Sequence, residues 1–353
     1  MIKVLIVEDS PVMQELLAYT IQSDPDFKIV GIAANGEEAV DMVMEKCPDI
    51  IAMDCYMPKL DGHQATRKIM ETKPTPIVIV TGSLAAKDVV VTFSLIEAGA
   101  LAIIKKPHSI NHPEYEKDAR ELIQMLKLMS EVKVVRRISR ISKEKVIIKP
   151  TFEKIIKTES EIKIVAIGAS TGGPLVLQKI ISGLPRRFPV PILIVQHISL
   201  GFVDGFVEWL ANTTDFPLHI AAQGESLLRG HCYIAPDGCH MGVESGPRIV
   251  LSDHAPENGL RPSVAFLFRT TANIFGSGAV GVLLTGMGHD GAKELKLMKE
   301  KGAITIVQDE ESSVVFGMPG EAINLNAATL ILSPEEIAET LTALVKKMNG
   351  VSI

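Results

Sequence analysis

Cysteine is scarce in this 353-residue chain, and the few cysteines follow no disulfide or metal-ligand pattern. Cys47, Cys55, Cys232 and Cys239 form no C-x-x-C pair and share no spacing with the histidines. We therefore interpret them as reduced thiols, which are typical of a cytoplasmic protein. The absence of an H-E-x-x-H or similar pattern argues equally against a metallohydrolase.

An excess of positive charge and a long apolar run are also missing. Lys and Arg together number 36 and Asp and Glu 42, so the net charge of −6 gives no broad electrostatic footprint for nucleic acid. No apolar run approaches the roughly 18 residues that a membrane span requires. The opening residues, MIKVLIVEDS, reach two acids too early for a signal peptide. We expect a cytoplasmic protein with no nucleic-acid partner and no membrane insertion.

Two domains are expected, because a domain averages about 150 residues. Hydrophobic residues make up 46% of the chain, which is enough to fill two cores. Between residues 132 and 160, nine basic residues stand against three acids, and apolar periodicity is weak. That composition is typical of a solvated connector. The predicted order is a first domain at 1–128, a basic linker at 129–161 and a second domain at 162–353.

Short β-branched runs alternate with helical periodicity in both halves of the chain. In the first half the runs are 3–7, 28–33, 50–53, 77–80 and 101–104. In the second half they are 163–168, 192–196, 279–285 and 304–308, with weaker candidates at 231–235, 248–251 and 330–333. This alternation predicts an α/β protein with a doubly wound parallel sheet of five strands in the first half.

Three carboxylates follow predicted strands of the first half, Glu8 and Asp9 after the first strand and Asp54 after the third. Clustered carboxylates repel one another unless a cation neutralises them, and oxygen ligands of high charge suit Mg²⁺. Thr81 and Lys106, at the ends of the next two strands, provide the hydroxyl and ammonium that a phosphorylated carboxylate requires. A single Asp at a strand end is more often a helix cap, but five such groups are not explained as caps.

These residues resemble the receiver domain of bacterial response regulators. The matching stretches are VEDS at 7–10, Asp54, MP at 57–58, DG at 61–62, TGS at 81–83, GA at 99–100 and KP at 106–107. The resemblance implies a flavodoxin-like fold in which Asp54 accepts a phosphoryl group from a histidine kinase. It further implies that Glu8, Asp9, Asp54 and the Tyr56 carbonyl hold Mg²⁺, and that Thr81 and Lys106 contact the phosphoryl oxygens.

Two details of this resemblance bear on the fifth predicted strand. The Lys106–Pro107 bond is a candidate cis peptide, since proline permits that isomer. Ile103 stands where receivers usually carry an aromatic switch residue, so the usual relay between the threonine and an aromatic side chain lacks its second member here.

The stretch GASTGGP at 168–174 follows a predicted strand and precedes a predicted helix. In a strand–turn–helix context, G-x-S-x-G exposes a serine hydroxyl beside the positive end of a helix. A glycine turn that binds phosphate or a dinucleotide, and a simple N-cap serine, are the rival interpretations. The dinucleotide site is disfavoured because Ser170 replaces the middle glycine and because the next strand ends at His197 rather than at an acid.

His197 is the candidate base for Ser170, and a carboxylate must orient its ring. The candidates are Asp204, Asp237, Asp253, Asp290 and Asp309. Asp290 is preferred because it follows the most apolar run of this half, AVGVLLT at 279–285. A site that uses His289 as base is less favoured, because adjacent His289 and Asp290 could hardly stack in a triad.

The second half resembles the CheB family of chemotaxis response regulators, which carry a protein-glutamate methylesterase and protein-glutamine deamidase domain. The matching stretches are 168–173, QH at 196–197, YIAPDG at 233–238, HM at 240–241, RPSV at 261–264, 284–291, QDE at 308–310 and 312–319. Departures are Ile198-Ser199 after the histidine and Ala265 after RPSV, which could affect receptor docking more than chemistry.

This second resemblance implies a Rossmann-like, three-layer α/β/α hydrolase. Ser170 would be its nucleophile, His197 the general base and acid, Asp290 the orienting carboxylate, and the Met287 backbone N–H part of the oxyanion hole. It implies chemoreceptors as substrates and no cofactor for the hydrolase chemistry.

Two alternatives from other classes stay open at this point. A DNA-binding output would need a basic helix-turn-helix half, which the β/α alternation does not offer. A non-catalytic receptor-binding output would keep the same fold without chemistry, and an activity assay distinguishes it.

Overall fold

The computed structural model describes residues 1–82, 86–132, 134 and 161–349. Within these ranges no helix combines the length and hydropathy needed to cross a bilayer. The chain divides into two compact units, Met1–Ile141 and Ser142–Ile353, called the N-terminal and C-terminal units below. Most of the predicted basic linker, residue 133 and residues 135–160, lies outside the described residues, so the bounds 1–128, 129–161 and 162–353 stay a prediction.

The N-terminal unit alternates strands with helices in chain order. Its elements are β1 (Ile2–Val7), α1 (Pro11–Gln22), β2 (Phe27–Ala33), α2 (Gly36–Lys46), β3 (Ile50–Met53), α3 (Gly62–Thr72), β4 (Ile77–Thr81), α4 (Ala86–Ala98), β5 (Ala102–Lys105) and α5 (Tyr115–Ser130). Over the described residues, five parallel strands form a sheet in the order β2-β1-β3-β4-β5. This is the flavodoxin-like order, so the predicted fold is confirmed.

Burial explains why these segments are strands, and polar caps explain where the helices begin. All four residues of β3 and all five of β4 are buried, as expected for strands covered on both faces. At the start of α2 the Asn35 side chain accepts hydrogen bonds from the amides of Glu37 and Glu38. At the start of α3 the Asp61 side chain accepts one from the Gln64 amide. The five predicted strands agree with β1–β5 to within one residue at each end.

The C-terminal unit continues the alternation around a larger sheet. Its elements are β6 (Ile164–Ala169), α6 (Gly173–Ser182), β7 (Ile192–Gln196), α7 (Val203–Thr214), β8 (Leu218–Ile220), β9 (Cys232–Ile234), β10 (His240–Glu244), β11 (Arg248–Ser252), α8 (Val264–Phe275), β12 (Ala279–Leu283), α9 (Ala292–Glu300), β13 (Ile304–Gln308), α10 (Met318–Asn324), β14 (Leu330–Leu332) and α11 (Pro334–Asn349).

Seven of the described strands form a parallel sheet in the order β14-β13-β12-β6-β7-β9-β8. Strand order reverses between β12 and β6, because the chain moves outward from β6 through β7 and later returns to build β12, β13 and β14 on the other side. Helix α9 contacts α8 and α10, and α6 contacts α7 and α11. The predicted Rossmann-like, three-layer architecture is confirmed.

The strand predictions for this unit were incomplete in two places. Strands β8 and β10 were missed, and the predicted strand 248–251 pairs with β10 in an antiparallel hairpin rather than joining the main sheet. Strand β8 has three residues, all half-buried, and so gives no clear apolar run. Both β8 and β10 depend on pairing with a neighbouring strand, which a local sequence pattern cannot show.

One core cluster of the C-terminal unit packs α8 against the sheet. Phe268 of α8 is 0% exposed and belongs to one cluster with Leu193 and Val195 of β7. Trp209 is the single tryptophan of the chain and is 3% exposed on α7, so its fluorescence reports unfolding of this unit.

We expect Phe268→Ala to lower the free energy of unfolding of the C-terminal unit by about 3–5 kcal/mol, because the lost ring leaves a cavity. Ile274→Ala, on the same helix but 40% exposed, is the control and should change it by less than about 0.5 kcal/mol. Urea denaturation followed by Trp209 fluorescence measures both. Equal effects of the two changes would contradict the assigned core.

Candidate functional site

The N-terminal unit gathers polar residues at the carboxyl end of its sheet. Glu8 and Asp9 follow β1, Asp54 follows β3, Thr81 ends β4 and Lys106 follows β5. Ligand atoms of the three carboxylates lie within 4.8 Å of one another. Glu8 and Asp54 are buried and Asp9 is exposed, so the three carboxylates form one acidic pocket at this edge of the sheet.

Lys106 is the cation that faces this pocket. Its Nζ lies 2.7 Å from Glu8 Oε2 and 3.0 Å from Asp54 Oδ2. Burial raises the pKa of both carboxyls, and the ammonium opposes that rise. Burial lowers the pKa of Lys106 itself, but its contacts with the two carboxylates outweigh this and leave the pKa raised.

The donor set fits a hard divalent cation. The Lys106 ammonium contacts two of the three carboxylates, which leaves excess negative charge on oxygen ligands of the kind that Mg²⁺ prefers. Tyr56 follows Asp54 by two residues, which puts its carbonyl at the same strand end. Thr81 Oγ1 is buried and, within the described residues, has no hydrogen-bond partner, so it can still bind an oxygen placed in the pocket.

Two further observations concern β5 and the loop that follows it. Lys106–Pro107 is not cis, contrary to expectation; the cis peptide of the described chain is Arg261–Pro262. The trans isomer of an X–Pro bond is intrinsically lower in free energy by about 0.5–1 kcal/mol. His108, His112 and Glu114 form a second possible ligand group, but His108 Nδ1 already lies 2.5 Å from Asp118 Oδ2.

Lys106→Met should destabilise the N-terminal unit progressively as the pH rises from about 4 toward neutrality. The folded-state pKa values of Glu8 and Asp54 are raised above the ordinary 4.5 and 3.8, so ionisation of these groups costs stability, and removal of the ammonium increases that cost. Thermal unfolding by circular dichroism in Mg²⁺-free buffer measures the effect. The exposed Lys117→Met is the control; a deficit independent of pH would contradict the charge argument.

Ser170 occupies a sharp turn between β6 and α6. Gly172 has φ +80, and the Gly173 amide donates to the Ser170 carbonyl at 2.8 Å. The Ser170 amide donates to the Thr285 carbonyl at 3.0 Å, which ties this turn to the loop after β12. The predicted strand–turn–helix context is therefore present, and the serine side chain is half-buried beside the start of a helix.

His197 follows β7, the strand next to β6. Ala169 pairs with Gln196 in register, so Ser170 and His197 are neighbours on adjacent strands. The His197 amide donates to the Ala169 carbonyl at 2.8 Å. The His197 ring contacts Asp290, and its Nε2 lies 3.1 Å from Asp290 Oδ2.

Asp290 is 2% exposed and accepts hydrogen bonds on both oxygens. The donors are His197 Nε2 at 3.1 Å, Val264 N at 2.6 Å, Ala265 N at 3.3 Å and Asn258 Nδ2 at 3.1 Å. Burial alone would raise the pKa of Asp290, but these donors, His197 first, hold it below the ordinary value. Asp290 is therefore a carboxylate at neutral pH.

The other predicted candidates lie elsewhere. Asp237 accepts a hydrogen bond from the Gly201 amide, and Asp309 accepts one from the Ser312 amide. Asp204 and Asp253 are exposed. His289 is exposed and lines a cleft. Across the described residues, Asp290 is the carboxylate bonded to the His197 ring, while Ser170 Oγ makes no hydrogen bond to that ring. Such bonds are often long before substrate binds.

Glycines pack the backbone closely around Ser170 and Asp290. A Cβ on Gly286 would lie 2.6 Å from Ser170 Cβ, so the loop that leads to Met287 touches the serine. A Cβ on Gly168 or Gly291 would lie 2.3 or 2.4 Å from Val264 Cγ1. Val264 thus sits between two glycines while its amide binds Asp290.

A cleft of about 720 Å³ lies beside this loop. It is lined by Gly288, His289, Lys293, Phe316, Gly317, Gly320, Glu321, Ile323 and Asn324. The Gly317 and Met318 amides donate to the Gly286 carbonyl at 3.1 and 2.9 Å, so the cleft and the serine share one loop.

Sequence reasoning predicted the pairing of Asp290 with His197 and missed the other three donors. Two of them are backbone amides, and the third, Asn258, lies in a loop with no recognised motif. The available signal was Ser263, which precedes α8 as its N-cap and accepts the Phe266 amide at 3.1 Å. An N-cap marks a helix start whose free amides can bind a carboxylate.

Fold and side chains together define a class of protein. One unit is receiver-like and has carboxylates at its strand ends. The other is an α/β unit that carries serine, histidine and aspartate at the point where its strand order reverses. Comparison with known families agrees with this class. Residues 4–113 match the response regulator receiver domain, and residues 165–341 match the CheB methylesterase domain. The chain belongs to the CheB methylesterase family.

Relatives match along nearly the whole chain. It is 54% identical over 345 residues to the protein-glutamate methylesterase/protein-glutamine glutaminase of Nitrosospira multiformis, covering 98% of this chain and 97% of the relative. A similarly named protein of Syntrophus aciditrophicus is 52% identical, with 98% of each chain covered. The crystal structure of the Thermotoga maritima CheB methylesterase catalytic domain aligns with a TM-score of 0.51 and 39% identity, covering 52% of this chain and 100% of that one.

Proposed function

We propose that this protein hydrolyses glutamate methyl esters of chemoreceptors, releasing methanol, and deamidates specific receptor glutamines to glutamate. It acts in the cytoplasm, in chemotactic adaptation, and phosphorylation of its receiver controls it. The observation that carries the proposal is the contact between His197 and Asp290 beside the Ser170 turn, in a chain that aligns with methylesterase/glutaminase relatives over 98% of its length.

Ser170 is the nucleophile in this proposal and His197 its base. Asp290 is a carboxylate, so the ring nitrogen that faces it, Nε2, carries a proton and Nδ1 holds the lone pair. Nδ1 lies nearer the main chain, on the residue that neighbours Ser170 across the strands. In the reaction the serine Oγ must come within hydrogen-bond reach of Nδ1, which takes the hydroxyl proton as Oγ attacks the side-chain carbonyl.

The remaining steps follow from this assignment. The imidazolium returns its proton to the leaving oxygen or nitrogen, so methanol or ammonia departs and an acyl-enzyme remains. Water, deprotonated by the same ring, then attacks the acyl carbonyl and frees the glutamate and Ser170. The Met287 backbone N–H, on the loop that touches Ser170, stabilises the developing oxyanion.

The substrate reaches this site along an open surface. Because the cleft lined by His289, Lys293 and Phe316 shares a loop with the serine, it can hold the polypeptide that flanks the target glutamate. The hydrolase residues need no cofactor for these steps.

The receiver controls this activity through Asp54, which accepts a phosphoryl group from a chemotaxis histidine kinase. Glu8, Asp9, Asp54 and the Tyr56 carbonyl would hold Mg²⁺, which neutralises charge during phosphoryl transfer when bound. The Thr81 hydroxyl, which has no hydrogen-bond partner in the part of the chain that the structure describes, and the Lys106 ammonium bind the phosphoryl oxygens. Phosphorylation then shifts a conformational equilibrium that sets the esterase rate.

Ser170→Ala should lower methanol release from methylated receptor membranes by about 10³-fold or more, because the triad acts as a unit. Ser182→Ala, exposed at the end of the helix that follows Ser170, is the control and should keep the wild-type rate. Methanol release by a folded Ser170→Ala protein at the wild-type rate would refute the nucleophile. No release by the wild-type protein would favour a non-catalytic, receptor-binding output.

Asp54→Asn should abolish labelling by a radioactively phosphorylated kinase, and methanol release should no longer rise with a small phosphodonor. Asp61→Asn is the control, because asparagine keeps the N-cap of α3 and the residue lies at the same edge. Chelation of Mg²⁺ should prevent labelling of the wild-type protein. Labelling that survives in Asp54→Asn would move the phosphorylation site, with Asp9 and Asp61 the next residues to test.

A further inference from the structure

Three of the four donors to Asp290 come from one stretch of chain, residues 253–265, which we call the clamp segment. Asn258 Nδ2 lies 3.1 Å from Oδ1, Val264 N 2.6 Å from Oδ2 and Ala265 N 3.3 Å from Oδ1. The fourth donor is the imidazole of the proposed triad. The orientation of the carboxylate therefore depends on the clamp segment as much as on the loop that follows β12.

His240 holds the clamp segment near both of its ends. It is 0% exposed, its Nδ1 lies 3.2 Å from the Ser263 amide and its Nε2 lies 3.1 Å from the Ala255 carbonyl. Because an amide can only donate and a carbonyl can only accept, Nδ1 is the acceptor and Nε2 carries the proton. The ring also stacks on Phe266, with centroids 5.1 Å apart. This neutral imidazole fixes Ser263, the N-cap whose next two amides bind Asp290.

Asn258 is held at the tip of the same segment. Its φ of +54 lies in the left-handed region, which asparagine tolerates better than most residues. The adjacent Glu257 exchanges backbone hydrogen bonds with Leu260 at 3.1 and 2.9 Å. Arg269 of α8 binds both carboxylate oxygens of Glu257, at 3.0 and 2.5 Å. The tip is thereby tied to the helix whose first amides also face Asp290.

We propose that His240 and Asn258 are positioning residues of the hydrolase site, which act through Asp290 on the His197 ring. This inference rests on the proposed function, and it gives a role to two stretches of family resemblance, HM at 240–241 and RPSV at 261–264, that the triad does not use. Donors on both oxygens leave the carboxylate one orientation, in which Oδ2 faces His197 Nε2. Loss of the Asn258 amide leaves Oδ1 with only the longer bond from the Ala265 amide, and loss of His240 releases the N-cap.

Asn258→Gly tests the first residue, because glycine keeps the left-handed backbone and removes only the amide. We expect kcat for methanol release to fall about tenfold with KM unchanged, since a misplaced catalytic group slows the reaction without weakening substrate binding. The pKa of the Asp290 carboxyl, followed by carbon-13 NMR, should rise. Asn273→Ala, exposed on α8, is the matched control and should change neither quantity.

His240 is tested with two variants at one position. His240→Asn keeps an acceptor where Nδ1 stood, opposite the Ser263 amide, whereas His240→Leu removes it. We expect the asparagine variant to retain several-fold more of the wild-type kcat than the leucine variant. Thermal unfolding and the pKa of Asp290 are measured on both, so that a folding defect is recognised as such.

The outcomes separate this inference from the function on which it rests. Wild-type kcat and wild-type Asp290 titration in Asn258→Gly would overturn the role of Asn258, and equal kcat values in the two folded His240 variants would overturn the role of His240. Should the wild-type protein release no methanol, the proposed function fails, and the titration of Asp290 in these variants alone decides whether the clamp segment holds the carboxylate.

Discussion

The central strands of both sheets are buried and carry no charged residue, and this constraint decides where the charged groups of the two sites can lie. Strands β3, β4, β7, β12 and β13 are buried at each residue. A charge in the middle of such a strand would lose its hydration without gaining a partner. Charged residues therefore begin where these strands end, and the parallel direction of the strands brings those ends to one edge. Both sites therefore lie at the carboxyl edge of their sheets.

The two sites neutralise their buried charge in opposite ways. In the N-terminal unit one ammonium, that of Lys106, faces Glu8 and Asp54, and burial still raises the pKa of both carboxyls. A pocket with this excess of negative charge is suited to receive a cation. In the C-terminal unit a single carboxylate, Asp290, has four donors, and its pKa falls below the ordinary value. The hydrogen-bonding capacity of the Asp290 carboxylate is thus already satisfied. This suits a residue that must stay ionised while the neighbouring His197 gains and loses a proton.

Much of this arrangement could be predicted from the sequence, because strand ends are visible as the point where an apolar run meets a polar residue. Asp54, Ser170 and His197 were identified in this way, and the structure places each one at such an end. The contacts of Asp290 with Val264 and Ala265 could not be predicted. They join residues 26 and 25 positions apart through main-chain amides, which every residue possesses. The expectation of a cis bond at Lys106–Pro107 was wrong, since proline permits that isomer without requiring it.

The packing of Val264 between Gly168 and Gly291 has a consequence for the genetics of this protein. A side chain at either glycine would collide with Val264 Cγ1, and the displaced backbone would withdraw an amide from Asp290. Inactivating substitutions should thus arise at two positions that carry no functional group at all. Second-site suppressors of a Gly168 allele are expected at Val264, where alanine removes both clashing methyl groups and keeps the amide. A Gly291 allele should resist them, because Gly291 has φ +81 and its added Cβ would still lie 2.9 Å from the Cβ of residue 264. A screen for revertants would then map the packing around the carboxylate without any knowledge of the reaction.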